Sequence, residues 1–245
     1  DGRGLIALPG LIDVHVHLRD MELAYKEDFS TGTLAAAAGG FATVLDMPNT
    51  KPPTSSAEKL REKSDKAKSM IHVNVGFYAS LPETSAEQLE MMKAGAIAFK
   101  LYMNEPDPDA WHSDPRRLLS SLEACGSLSI PVAVHAATGH PIARIQTKLC
   151  ATGRNSMRDL LRAHPPKFEL DAVQVIIDLA RRAHSKVHVC HLSTHQSLRE
   201  ISTAREKGVD ITCEVTPHHL LLDTTDLNKR GGPAMTVPPL RKQSD

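Results

Sequence analysis

Asp13-Val14-His15-Val16-His17 closes a short apolar run that is entered through Leu8-Pro9-Gly10. Successive side chains of a strand point to opposite faces, so His15 and His17 project the same way and can grip one metal ion between them. A lone His-x-His also arises by accident on the wet face of a half-buried strand, so it carries weight only if further ligands turn up elsewhere. Three more apolar runs end in the same manner. Ala96-Ile97-Ala98-Phe99 meets Lys100, Val132-Ala133-Val134 ends on His135, and Val187-His188-Val189-Cys190 ends on His191. Parallel strands closed into a barrel with helices outside bring their C-terminal ends to one face, where such folds place their chemistry. The expected fold is therefore α/β, a TIM-type (β/α)8 barrel.

Lys100 differs in kind from the imidazoles. An ammonium at the end of an apolar strand is expensive to desolvate and repels a metal, so burial there favours the neutral amine. A neutral amine can add carbon dioxide to give a carbamate, whose two oxygens can bridge two divalent ions.

Charge and composition bound the class. Lysine plus arginine and aspartate plus glutamate both total 29, and 41% of residues are hydrophobic, which describes a neutral globular protein with material for a core and no basic patch for nucleic acid. No apolar run approaches 18 residues and no charged-then-apolar leader opens the chain, so the expectation is a cytoplasmic protein with no membrane span. Cys125, Cys150, Cys190 and Cys213 form no Cys-x-x-Cys pair and are read as structural thiols. Cys190 adjoins His191, and neighbours on a strand face opposite ways, so it is not expected among the ligands.

Strand and helix patterns alternate along the whole chain, the signature of a parallel sheet with crossover helices. A helix is predicted over 28–38 and stopped at Gly39-Gly40, with a strand over 41–47. Ser55-Ser56-Ala57-Glu58 reads as a capping box opening a helix to about residue 70, followed by a strand over 71–78. Ser85 with Gln88 caps the next helix, and a strand spans 96–101. Asp114-Pro115 opens a helix that stops near Gly126, before a strand over 130–135. The longest connection, 136–167, contains Gly139, Gly153 and Pro165-Pro166 and reads as an insertion or a lid over the ligand face. A helix over 169–184, a strand over 186–191, a helix over 194–207 and a strand over 209–215 complete seven strand-helix units. A closed barrel needs eight, and seven leave two hydrophobic edges. The expectation is one incomplete barrel domain over 1–245, lacking the eighth unit and any flanking small β-domain.

Pro9-Gly10-Leu11-Ile12-Asp13-Val14-His15-Val16-His17-Leu18-Arg19, then Asp46-Met47-Pro48-Asn49-Thr50, resembles the dihydroorotase family of the amidohydrolase superfamily. Ala98-Phe99-Lys100, Val134-His135-Ala136, Val189-Cys190-His191-Leu192-Ser193 and Cys213-Glu214-Val215-Thr216-Pro217-His218-His219 are similar to that family's later motifs, in order. The resemblance implies that His15 and His17 hold one zinc, that His135 and His191 hold a second, and that carboxylated Lys100 bridges the two Zn2+ ions. It implies interconversion of N-carbamoyl-L-aspartate and L-dihydroorotate in pyrimidine biosynthesis, with paired cations supplying hydroxide near neutral pH and polarising the amide carbonyl. Arg19 shares the face of His17, and its planar fork suits a carboxylate. By resemblance Arg19 and Asn49 bind the substrate carboxylate, whereas the related allantoinases, hydantoinases and dihydropyrimidinases act on substrates that lack it.

Two departures stand beside the matches. The family's eighth-strand aspartate, which moves the proton between nucleophile and leaving nitrogen, has no counterpart in this span, so no catalytic acid is identified and it is expected past the C-terminus. Val237 stands where the family has an asparagine before Pro-Pro-Leu-Arg. His218 and His219 are read as supporting residues. A second expectation, from a different class, is a catalytically inactive scaffold that partners aspartate transcarbamoylase, and relatives also make a homodimer an expectation.

Overall fold

The computed structural model describes residues 3–245 and divides into two compact units. One runs to Pro82 and includes Ala86–Phe99; the other holds Glu83–Ser85 and Lys100–Asp245.

In the first unit β1 (Leu11–Val16), β2 (Phe41–Asp46) and β3 (Asn74–Ser80) run parallel, β2 pairing with both others. Between them lie α1 (Phe29–Ala38) and α2 (Ala57–Ala67), and α3 (Ser85–Lys93) follows β3. Asp28 caps α1 by accepting from the Thr31 amide, and the chain leaves through Gly40 at φ 83°, a left-handed angle that favours glycine. The cap of α2 is Ser56, which accepts from the Lys59 amide. The residue three positions on is thus a lysine, and the reciprocal glutamate bond of the expected capping box does not form. β3 begins at Asn74 rather than at 71 because the amides of Met70 and Ile71 bond back to the Ala67 carbonyl, extending the exit of α2. Leu18, Phe29, Val44, Leu60, Ala67 and Phe77 form the core of this unit, with the Phe29 and Phe77 rings edge-on at 6.1 Å.

β4 (Ala96–Tyr102) passes from the first unit into the second at Lys100. In the second unit β5 (Val132–His135), β6 (Val187–Val189) and β7 (Ile211–Cys213) run parallel, β6 pairing with both others. Asp114 caps α4 (Pro115–Leu128) with proline at the first helical position, where a missing N–H costs nothing. α7 (Pro166–Ala183) packs against α4 and against α8 (His195–Glu206). The approach of α4 to α7 needs Gly126, since a Cβ there would lie 2.7 Å from the Ala183 carbonyl oxygen.

The connection read as an insertion or a lid carries helices of its own. It folds as α5 (Gly139–Ala151) and α6 (Met157–Ala163), the second opened by a reciprocal Ser156–Asp159 capping box. Asp159 also pairs with Arg154 and Arg162. Past β7, α9 (Pro217–Leu221) and α10 (Thr224–Arg230) follow, and Asp223 and Asp226 are spent on the capping box of α10. Among the described residues no helix is long and apolar enough to cross a membrane.

Candidate active site

The first unit assembles one imidazole pair. β1 delivers His15 and His17 with ring centroids 5.2 Å apart, and the end of the strand is pinned to β2 because the Leu18 amide donates to Asp46 Oδ1 at 2.7 Å. Asp46 is fully buried and pairs at 2.6 Å with Lys63 Nζ, itself 1% exposed, which also donates to the Met47 carbonyl at 2.9 Å. Burial pushes the Asp46 carboxyl above the ordinary carboxylate range, against the pull of the Lys63 ammonium.

Asn49 follows β2 and places Oδ1 2.7 Å from His17 Nδ1. An amide oxygen can only accept, so in this pairing His17 Nδ1 is the donor, the kind of bond that orients imidazole ligands in metal sites. Arg19, half-buried, comes next in the chain, and Arg19, Asp20 and Met21 have φ of 58°, 48° and 52°. Left-handed runs of this kind persist only where the surroundings over-determine them. Here Asp20, with no exposed surface, accepts from the Phe29 and Met21 amides and from Lys66 Nζ. Glu22 pairs with Lys51. Asp20 and Glu22 are therefore committed elsewhere, and among the described residues the Arg19 guanidinium makes no hydrogen bond and no contact ion pair, although its charge is near enough to pull the Asp46 carboxyl downward.

The second unit assembles the other pair. The His135 and His191 rings meet edge to face with centroids 4.4 Å apart. Lys100, 2% exposed, donates from Nζ to Cys190 Sγ at 2.9 Å and lies 5.2 Å from the Tyr102 ring centroid. Cys190 was not expected on this face, and alternation along an ideal strand gives no signal for it. β6 stops at Val189, so residues 190 and 191 no longer alternate, and His191 has φ 36°. Beside His135 lies a cavity of about 320 Å³ bordered also by Ala136, Gln146, Val237, Pro238 and Arg241, a volume suited to a small molecule. Gly139 lets the chain after β5 lie on the loop after β4, where a Cβ would come within 2.2 Å of the Glu105 carbonyl oxygen.

His219 bonds through Nδ1 to Thr216 Oγ1 at 2.6 Å and through Nε2 to the Pro238 carbonyl at 3.3 Å, and burial pushes its pKa down to about 4. Burial raises the thiol pKa of Cys125, to about 12, and that of Cys213, consistent with inert structural thiols. Asp159 is engaged by its arginines and Ser156, and Asp223 and Asp226 by the start of α10.

Comparison with known proteins agrees with this arrangement. The model of the amidohydrolase family matches residues 6–230, and the chain belongs to that family. It is 35% identical over 248 residues to an allantoinase of Rubrobacter xylanophilus, covering 100% of this chain and 55% of the relative. It is 38% identical over 241 residues to a dihydroorotase of Methanothermobacter thermautotrophicus, covering 98% and 53%. Among solved structures, the L-hydantoinase (dihydropyrimidinase) from Arthrobacter aurescens aligns with a TM-score of 0.88 at 29% identity, over 96% of this chain and 53% of that one. The fold is thus the (β/α) barrel kind read from the strand-helix alternation, with seven strands among the described residues, and the chain is similar to members of the cyclic amidohydrolase branch. The chain spans about half the length of the relatives it matches.

Proposed function

We propose that this chain carries the metal-binding and substrate-binding part of a dihydroorotase, interconverting N-carbamoyl-L-aspartate and L-dihydroorotate. The observation that carries this reading over other ring-opening amidohydrolases is Arg19, a half-buried guanidinium two residues past His17 that has no carboxylate in contact. A buried-side cation of this kind is costly unless an anion meets it, and the substrate carboxylate is an anion of matching planar geometry. The NH2 group of Asn49, whose oxygen is engaged by His17, can donate to the same carboxylate.

In this reading His15 and His17 would hold one zinc, His135 and His191 a second, and Lys100, carboxylated, would supply a further anionic ligand. The residues fit such ions. Each imidazole pair is assembled within one unit, Asn49 orients the His17 ring, and Lys100 is a buried amine whose contacts are a thiol and an aromatic ring rather than a carboxylate. Bound divalent ions supply a nucleophile near neutral pH and polarise the carbonyl. The chain's own residues orient the imidazoles, hold the substrate carboxylate and exclude water from Lys100. No acid for the proton transfer to the leaving nitrogen is assigned among the described residues, and a homodimer is proposed by analogy with relatives.

Val237 supports a second reading, in which the substrate is a neutral ring such as allantoin, because an apolar residue stands where a polar contact is expected. A third, an inactive scaffold that partners aspartate transcarbamoylase, keeps the metal sites without chemistry. One experiment separates them: metal content by mass analysis, then turnover of dihydroorotate and allantoin by the natural full-length protein. Dihydroorotate turnover that needs both Arg19 and zinc is the expected result. Allantoin turnover indifferent to Arg19 overturns it, and metal uptake without turnover of either favours the scaffold.

A further inference from the structure

The turn that carries His191 is gripped by two carboxylates that have no part in the roles above. His191 sits at φ 36°, left-handed for a residue with a bulky side chain, and such strain survives only when neighbouring groups hold it. Glu214, just past β7, takes the His191 amide on Oε1 at 3.1 Å, and its Oε2 lies 3.2 Å from His188 Nε2. Its main-chain carbonyl takes the Leu192 amide at 2.8 Å. Glu169, 4% exposed in the first turn of α7, accepts from the Ser193 amide at 3.0 Å, from Ser193 Oγ at 2.5 Å and from Thr194 Oγ1 at 2.7 Å. Arg241 Nε donates to Ser193 Oγ at 3.0 Å, and its Nη1 donates to the His164 carbonyl at 2.5 Å. Four consecutive residues, 191–194, are thus each tied by at least one donor to Glu214 or Glu169. Charge-assisted bonds of this kind are stronger than neutral ones, and these are partly or wholly shielded from water.

We propose that Glu214 and Glu169 are positioning residues: they hold residues 191–194 in the left-handed turn, aim the His191 imidazole at His135, and so set the metal affinity of that pair. The inference rests on reading His135 and His191 as ligands. Groups that orient a ligand from outside typically control metal affinity by about 10–100-fold. A purely structural role would instead lower stability and leave the affinity of the folded protein alone.

The test uses three variants of the full chain. Glu214→Met keeps the length and removes the acceptor, Glu214→Gln keeps an acceptor, and Glu214→Asp keeps the charge but withdraws it by one methylene. Zinc affinity is measured by chelator competition, and exchange of the His191 amide is measured by NMR on metal-free protein labelled at histidine. Glu214→Met is expected to weaken one zinc by about tenfold or more and to speed His191 exchange, with Glu214→Gln restoring both toward the parent. A folded Glu214→Met protein with parental zinc affinity and a protected His191 amide overturns the proposal. Should Glu214→Met fail to fold, Glu214→Asp decides in the same way, weaker zinc supporting the clamp and parental zinc overturning it. If the parent takes up no zinc, the reading of the ligands falls, while amide exchange still decides whether Glu214 holds the turn.

Discussion

Arg19 is a single side chain whose value depends on what does not touch it. With Asp20 committed to Lys66 and two amides, and Glu22 to Lys51, neither neighbouring acid bonds its guanidinium, and Asp46 acts on it only without direct contact. Arg19→Ala is expected to raise KM for dihydroorotate by about 10–100-fold, the range of a lost charge-assisted contact, while metal content stays constant. Arg19→Lys should recover little, because a point charge cannot reproduce a two-pronged fork. Unchanged kinetics in Arg19→Ala would remove this residue from the site. His219 gives a pH-dependent counterpart. Its pKa is depressed to about 4 from an ordinary 6.5 by burial, so the unfolded chain takes up the proton first as pH falls. Stability should therefore decline from about pH 6.5 to about pH 4 and level off below. Denaturant melts of His219→Gln should show a shallower decline, and identical slopes would contradict this origin. The His15–His17 pair was legible in the sequence because a regular strand alternates. Cys190 against Lys100 was not, because the alternation ends at Val189, a boundary set by backbone pairing that no residue type announces.

Elements show the same division between local and long-range causes. Helix starts with a side-chain cap, such as Asp28, Asp114 and Thr194, were readable to within a residue because the cap is a local bond. The start of β3 and the two helices after β5 were not, since packing rather than propensity decides them. Nor did α2 advertise that its inward lysine completes the support under His17. Lys63 reaches Asp46 and the Met47 carbonyl from inside the core, and Asp46 in turn holds the Leu18 amide. Removing one partner of a buried pair leaves an uncompensated charge, so Lys63→Met should cost about 3–5 kcal/mol. Converting Asp46 to Asn as well should return much of that loss, since the neutral amide oxygen can still accept from Leu18. Urea unfolding of the two single variants and the double variant measures this directly, and additive losses would show that the two charges do not depend on each other.

At the scale of the whole molecule, the order of the four strand ends along the chain already implied an α/β barrel, and the family match over residues 6–230 agrees. The division into two compact units was not legible, because contact density depends on how strands pack and not on their pattern. That division gives the metal reading a thermodynamic consequence. In that reading each imidazole pair lies within one unit, and each ion would bind the native fold more tightly than the unfolded chain. A ligand that binds only the native state stabilises it by about 2.7 kcal/mol at a hundredfold excess over its Kd. Thermal melts in zinc should therefore run higher than melts after exhaustive chelation, and zinc returned to the metal-free protein should restore the difference. His17→Ala and His191→Ala should each remove part of that shift, and the double variant should remove all of it. A melt that ignores chelator in the parent protein, at zinc concentrations that saturate ordinary imidazole sites, would mean that these imidazoles bind no ion.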